Sequence, residues 1–209
     1  MTVDRSLIET AIDKLDQLFG SQDAEKFVAL LDELEKWNRR VNLTAIRNPA
    51  EMVTGHLLDS LVARPLLEGD TVLDVGTGPG FPGLPLAIAE PNRQFTLLDS
   101  NNKKIQFVQH VAGLLGLDNV TAVKGRGEDY APGHRFDTVI ARALAALPRL
   151  VEIAGHHVRE DGVFVALKGR YPAEELEPVS YTHLTLPTKE SRWWAGWGGG
   201  GVGGGGGGG

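Results

Sequence analysis

The stretch Asp74-Val75-Gly76-Thr77-Gly78-Pro79-Gly80-Phe81-Pro82-Gly83 gathers the residues of this sequence best suited to grip a ligand. Glycine lets a backbone take positive φ values and come close to a bound molecule. A dinucleotide site asks for G-x-G-x-x-G, in which the third glycine packs the helix on the strand and the helix N-terminus receives a pyrophosphate. Here the spacing is G-x-G-x-G, and Phe81 stands where that third glycine would be. The chain has no G-x-x-x-x-G-K-[ST], which argues against a P-loop nucleotidase. An acid-led loop of this form suits a nucleoside without phosphates, one whose charged end is an amino acid. Asp99 follows Gly76 by 23 residues, at the end of a second apolar run, where a carboxylate can accept both hydroxyls of a ribose. Loop and acid together describe an S-adenosylmethionine site. Gly76, Gly78 and Gly80 lie against the methionine part, Asp99 on the ribose, and Glu128 or its backbone neighbours near the adenine.

The surrounding pattern supplies elements that could hold such a site. Leu7, Ile8, Ala11, Ile12, Leu15, Leu18 and Phe19 recur at helical spacing, as do Phe27, Leu30, Leu31, Leu34 and Trp37. A third helical segment runs from about Ala50 to Leu67, with Pro49 in its first turn. The period then changes. Thr71–Val75, Gln94–Asp99, Val120–Val123, Phe136–Ile140 and Val163–Leu167 read as five strands. Helical stretches over Gly83–Ala89, Lys103–Leu117 and Leu147–Val158 alternate with them. Continuous apolar strands alternating with helices predict a doubly wound, mostly parallel α/β sheet with its ligand at the carboxyl ends of the strands. The S-adenosylmethionine loop with Asp99 makes the expected fold that of a class I methyltransferase. Residues 1–67 read as an N-terminal helical extension and 68–179 as the α/β domain. Residues 180–209 read as a low-complexity, non-native and disordered tail, although Ser180–Pro187 has some strand character.

Composition narrows the function classes. The chain has 209 residues and no cysteine, which excludes a thiolate nucleophile, a disulfide scaffold and a Cys-ligated metal. No apolar run is long enough to span a membrane, and the first twenty residues do not resemble a signal peptide, so a cytoplasmic, soluble protein is expected. Of 27 acids, nine lie in residues 1–35 against three bases, whereas residues 36–180 hold 17 acids and 16 bases. The body is thus nearly neutral and can carry a basic face. Twelve of the 27 glycines belong to the tail, between Gly196 and Gly209.

Several motifs point to one family. These are Trp37-Asn38 with Asn42-Leu43-Thr44, His56 with Asp59-Ser60, Asp74 through Gly83, Leu97-Leu98-Asp99-Ser100, Arg142-Ala143 and Ala166-Leu167-Lys168-Gly169. In this order, over roughly residues 3–179, the chain resembles the bacterial small-subunit ribosomal RNA methyltransferase G family, also called glucose-inhibited division protein B. The resemblance implies methyl transfer from S-adenosylmethionine to N7 of guanine 527 in the 530 loop of 16S rRNA. It also implies cofactor contacts at Gly76, Phe81, Gly127, Glu128 and Arg142. The implied partner is 16S rRNA or the small-subunit particle, with no metal and no membrane, and a monomer is expected. Near Val179 the resemblance gives way to the atypical tail, which implies that the C-terminal edge of the α/β domain is incomplete.

The remaining residues agree with that chemistry. Guanine N7 offers a lone pair and loses no proton on attack, so no general base is required; alignment of nucleophile and methyl group is the main gain. Ala141-Arg142-Ala143-Leu144 stands where amine methyltransferases carry an Asn/Asp-Pro-Pro-Tyr/Phe motif. The lack of cysteine excludes the covalent route to 5-methylcytosine. RNA binding needs cations, and Lys36, Arg39, Arg40 and Arg47, then Arg126, Arg142, Lys168 and Arg170, are candidates. Arg142 could fix the cofactor, orient the guanine or bind phosphate. His56 and Asp59, three apart on a helix, read as a bonded pair joining the N-terminal helices to the sheet, with a contact to RNA or cofactor as the alternative. Trp37 reads as core, and adjacent His156 and His157 as pointing apart. A methyltransferase for another RNA, a protein or a small molecule shares the loop and Asp99, as does a non-catalytic nucleotide-binding module.

Overall fold

The computed structural model describes residues 6, 9–11, 13, 24–142, 146–167 and 184–185. Among the described residues six strands form one sheet in the order β3-β2-β1-β4-β5-β6. They are β1 (Thr71–Val75), β2 (Gln94–Asp99), β3 (Val120–Lys124), β4 (Phe136–Arg142), β5 (Val158–Leu167) and β6 (Leu184–Thr185), and all neighbours pair in parallel. The helices with defined bounds among these residues are α1 (Ala24–Val41), α2 (Pro49–Met52), α3 (Asp59–Leu61), α4 (Gly83–Ala89), α5 (Asn102–Leu115) and α6 (Leu147–Ala154). The expected helix over Leu7–Phe19 lies largely outside the described residues. The fold is the doubly wound α/β class expected from the alternation of apolar runs.

Successive residues of each strand feed opposite faces. Val72, Phe95, Leu97, Ile140, Val163 and Val165 face a core completed by Phe27, Leu30, Leu31 and Leu34 of α1, Leu84 of α4 and Phe107 of α5. Leu73, Val75, Leu98, Val139, Ala141 and Phe164 face a smaller core with Leu147 and Leu150 of α6. The helices before the sheet therefore share a core with α4 and α5. Trp37 belongs to it, edge-on to Phe107 at 5.6 Å and against His110 at 5.3 Å.

Local chemistry sets the helix ends. Asn48 caps α2 by accepting from Ala50 N–H at 2.9 Å, with Pro49 in the first turn as expected. The segment is not one uniform helix to Leu67. Val53–Leu58 form a π-helical stretch between α2 and α3, and a 3₁₀ turn covers Arg64–Leu66. Asn101 caps α5, and Gly116, at φ 62°, closes it two residues earlier than the apolar pattern suggests. Helix α6 ends at Ala154, because a 3₁₀ turn over Gly155–His157 leads into β5. That turn brings the rings of His156 and His157 to 3.9 Å, so they do not point apart as expected of neighbours on an α-helix.

Strand β5 starts at Val158, five residues before its apolar run, and its register against β4 shifts between Phe136 and Thr138. In the tail, Leu184 and Thr185 pair with Phe164 and Val165. The reading of the rest of the tail as disordered falls outside the described residues, as do Lys168 and Arg170.

Candidate functional site

The pairing register assembles the site. Val75 lies opposite Leu98 of β2 and Ala141 of β4, so Gly76, Asp99 and Arg142 leave the sheet at one level. Asp99 lies opposite Lys124, and Arg142 opposite Leu167. Strand β1 sits between β2 and β4, where the winding reverses, and that switch point is the ligand position of open α/β sheets.

The loop after β1 is tied on both sides. Gly76 and Thr77 N–H both donate to Leu98 O, at 2.8 and 3.0 Å, and Gly78 N–H donates to Asp99 Oδ2 at 2.9 Å. Gly76, Gly78 and Gly80 have φ of 72°, 62° and 90°, the left-handed region that glycine occupies without strain. Asp99 Oδ1 accepts from Asn101 N–H at 2.7 Å, so this carboxylate, mostly buried, joins the loop to the start of α5. Each of its oxygens keeps acceptor capacity for a ligand.

Asp74 is fully buried at the end of β1. Its Oδ2 accepts from Thr77 Oγ1–H at 2.6 Å and Gly83 N–H at 2.9 Å, while Oδ1 has no hydrogen-bond partner among the described residues. Burial pushes its pKa up to about 6, against the hydrogen bonds from Thr77 and Gly83 and the charge of Arg142. Gly83 supplies what the G-x-G-x-G spacing lacked. A β-carbon there would lie 2.1 Å from Leu97 Cδ2, so this glycine, two places after Phe81, lets α4 pack on the sheet.

Phe81 is buried under His56, with ring centroids 4.8 Å apart and planes at 26°. Arg142 donates from Nη1 to Gly55 O at 3.2 Å, pairs with Asp59 Oδ2 at 3.6 Å, and places Nη2 3.4 Å from His56 Nδ1. His56 and Asp59 thus do join the N-terminal helices to the sheet, yet not by bonding each other: both turn to Arg142.

Gly127 packs at the end of β1, where a β-carbon would approach Val75 Cγ1 to 3.0 Å and Ile153 Cγ2 to 2.6 Å. Its carbonyl accepts from His157 Nε2–H at 2.9 Å, and burial pulls that imidazole below its ordinary pKa. The neighbouring Glu128 is paired with Arg149 at 2.9 Å on the surface.

The proposed RNA-binding cations do not all reach this centre. Arg39 pairs with Glu35 at 2.6 Å and Lys36 with Glu33 at 2.7 Å, both along α1. Arg40 is exposed nearby, and no bond among the described residues ties Arg39 or Arg40 to the loop. For Lys36 and Arg39 the acids at i−3 and i−4, Glu33 and Glu35, were visible in the sequence and were the signal for this neutralisation. Lys104 is nearer: a β-carbon on Gly78 would lie 4.0 Å from its Nζ. Lys104 was absent from the sequence candidates, although its place in the first turn after the Asp99 strand end was a usable signal.

A cleft of about 560 Å³ lined by Thr71, His134, Arg135, Arg159, Glu160 and Asp161 opens at the amino ends of the strands, on the edge opposite the loop. Its position and mixed charge separate it from the site. Among the described residues no cluster of three or more His, Asp or Glu could hold a metal ion. No helix of the described residues is long and apolar enough to cross a membrane.

Comparison with known proteins agrees with this geometry. The family described as "GidB: rRNA small subunit methyltransferase G" matches residues 23–192, thirteen residues past Val179, where the resemblance was expected to give way. A Ribosomal RNA small subunit methyltransferase G from Psychromonas ingrahamii is 43% identical over 190 residues, 88% of this chain and 92% of that protein. One from Idiomarina loihiensis is 52% identical over 153 residues, 73% of this chain and 74% of that protein. A Klebsiella pneumoniae structure described as an O-methyltransferase superposes with a TM-score of 0.52 at 20% identity, covering 82% of this chain and 77% of that one, a likeness of fold.

Proposed function

The chain belongs to the rRNA small subunit methyltransferase G family, and on that premise we propose that it transfers a methyl group from S-adenosylmethionine to N7 of guanine 527 in the 530 loop of 16S rRNA. The observation that carries this reading is the half-satisfied carboxyl of Asp74. A buried acceptor with no partner of its own is satisfied by a donor that a ligand brings. The ammonium of an amino-acid moiety matches it in charge and hydrogen-bonding sense.

When bound, S-adenosylmethionine supplies an activated methyl group on a sulfonium sulfur. Gly76, Gly78 and Gly80 let the backbone lie close to its methionine part, Asp74 Oδ1 accepts from the ammonium, and the free lone pairs of Asp99 take the ribose hydroxyls. Gly127 and Glu128 border the base, and Phe81 forms the apolar floor. Arg142 stands at the front of the row, with 18% of its side chain exposed and part of its N–H fork without a partner among the described residues. Arginine donors suit the Hoogsteen edge of guanine, and a bond to O6 leaves N7 free to attack. No residue need remove a proton, so the site acts by holding and aligning the two reactants.

RNA approaches this edge through Arg142, and Arg39 and Arg40 at the end of α1, with Lys168, are the further cations proposed to meet it. The substrate is the small-subunit particle or its 16S rRNA, and the chain acts as a cytoplasmic monomer without a metal. Incubation with labelled S-adenosylmethionine and either 30S subunits or naked 16S rRNA, followed by mapping of 7-methylguanine, tests the reading. Label at the 530 loop is expected. Label confined to protein or small molecules overturns it.

A further inference from the structure

His56 is a buried titratable side chain to which the scheme above gives no role, and it touches two residues that do have one. It lies in the π-helical stretch Val53–Leu58, with only 5% of its surface exposed. Both ring nitrogens are engaged. Arg142 Nη2, at 3.4 Å, has only protons to give, so His56 Nδ1 must accept. Nε2 therefore carries the ring proton and donates it to Thr44 Oγ1 at 3.0 Å. Burial, with the charge of Arg142, pushes the imidazole pKa down to about 4, which keeps the ring neutral at physiological pH.

Thr44 is itself fixed. Its N–H donates to Asn38 Oδ1 at 2.9 Å, and its hydroxyl oxygen also accepts from Ile46 N–H at 3.2 Å. Asn38, buried at the end of α1, returns a bond from Nδ2 to Ile46 O at 3.3 Å. The far end of this chain of contacts is the face of Phe81.

We infer that His56 is a positioning residue for methyl transfer: held by Thr44 as a neutral imidazole, it aims the Arg142 guanidinium and braces Phe81 of the glycine loop. The inference rests on the roles given above to Arg142 and the loop. An imidazolium would offer donors at both nitrogens and repel Arg142. A plain aromatic ring would keep the stacking on Phe81 but give Nη2 no acceptor, leaving the guanidinium to Gly55 O and Asp59.

Steady-state methylation of 30S subunits by the full chain, with cofactor affinity and unfolding midpoint measured in parallel, tests this on His56→Phe and His56→Asn. If the wild-type chain leaves RNA unlabelled, the function proposed above falls, separately from this inference. With active wild type, His56→Phe is expected to lower kcat about tenfold or more while the RNA KM and the cofactor Kd stay within about threefold. His56→Asn, which restores an acceptor close to Nδ1, is expected to recover several-fold in kcat over His56→Phe. Turnover of His56→Phe within about twofold of wild type overturns the inference. So does an equal loss in both variants together with lost cofactor binding, the mark of a purely structural side chain. If His56→Phe does not fold, Thr44→Val, which removes the acceptor for Nε2–H at nearly constant shape, must lower kcat instead; unchanged turnover there overturns the inference.

Discussion

Gly83 donates its N–H to Asp74 Oδ2 across 2.9 Å, and a β-carbon on Gly83 would lie 2.8 Å from that same oxygen. One glycine therefore satisfies half of the buried carboxyl and brings α4 onto β2. Gly83→Ala is expected to overpack this contact and cost about 1–3 kcal/mol. Chemical denaturation reads this as a lower midpoint with an unchanged slope.

Asp74→Asn separates stability from function. A buried carboxyl whose pKa is raised from 3.8 to about 6 destabilises the fold above pH 6, by about 3 kcal/mol for a two-unit shift. The asparagine removes that penalty, so the melting temperature at pH 7 is expected not to fall. Its carbonyl oxygen is needed by Thr77 and Gly83, which turns the amide N–H₂ toward the place of Oδ1 and a ligand ammonium. Cofactor affinity is expected to drop about tenfold or more, measured by calorimetry.

The same carboxyl sets a pH dependence. The folded protein holds a proton on Asp74 below about pH 6, whereas an unfolded chain holds it only below about 4. Its contribution to stability therefore falls as pH rises from 4 to 6 and is level above that. Cofactor binding runs the opposite way, weakening as pH drops through 6 and the carboxylate becomes neutral. Affinity independent of pH between 5 and 7 would refute a contact between Asp74 and the ammonium.

Arg142→Ala is expected to abolish transfer, by about 100-fold or more in kcat, with little change in the far-ultraviolet spectrum. Arg142→Lys keeps the charge but not the fork that reaches Gly55, Asp59 and His56 at once, and is expected to recover little. Near-wild-type turnover of either variant refutes the assigned role.

At the opposite end of the sheet, Asp137 accepts from Asp70 N–H, Thr71 N–H and Thr71 Oγ1–H and pairs with Arg159. Burial raises its pKa, but the bonds from Thr71, Arg159 and Asp70 outweigh burial and hold it down to about 2. Its stabilisation is complete above about pH 4 and disappears as pH falls through 2. Asp137→Asn is expected to lower stability at pH 7 and to flatten acid unfolding between pH 4 and 2, followed by circular dichroism.

The five apolar runs, the loop after β1 and the acid that ends β2 were legible because each is written in consecutive residues. Strand β5 was read short because Arg159, Glu160 and Asp161 at its start are polar and exposed. The π-helical turn leaves no mark in apolar spacing, since Val53, His56 and Leu57 are buried at intervals that an α-helix also allows. The site was legible only where one strand end carries the residue, as at Gly76, Asp99 and Arg142. What bound them together was not: the contact of His56 with Arg142 spans 86 residues, and no local pattern encodes it.

That span bears on the order in which the molecule consolidates during synthesis. Asn38, Thr44 and His56 are made early, the glycine loop next, and Arg142 only after β4. Until then His56 Nδ1 and Asp59 lack their cation, and the loop lacks the neighbour that β1 pairs with on its other side. Non-local closure of this kind comes late in folding. The cofactor site is thus expected to be among the last parts of the chain to harden, so a nascent chain halted before β4 would carry the complete glycine motif and still not bind.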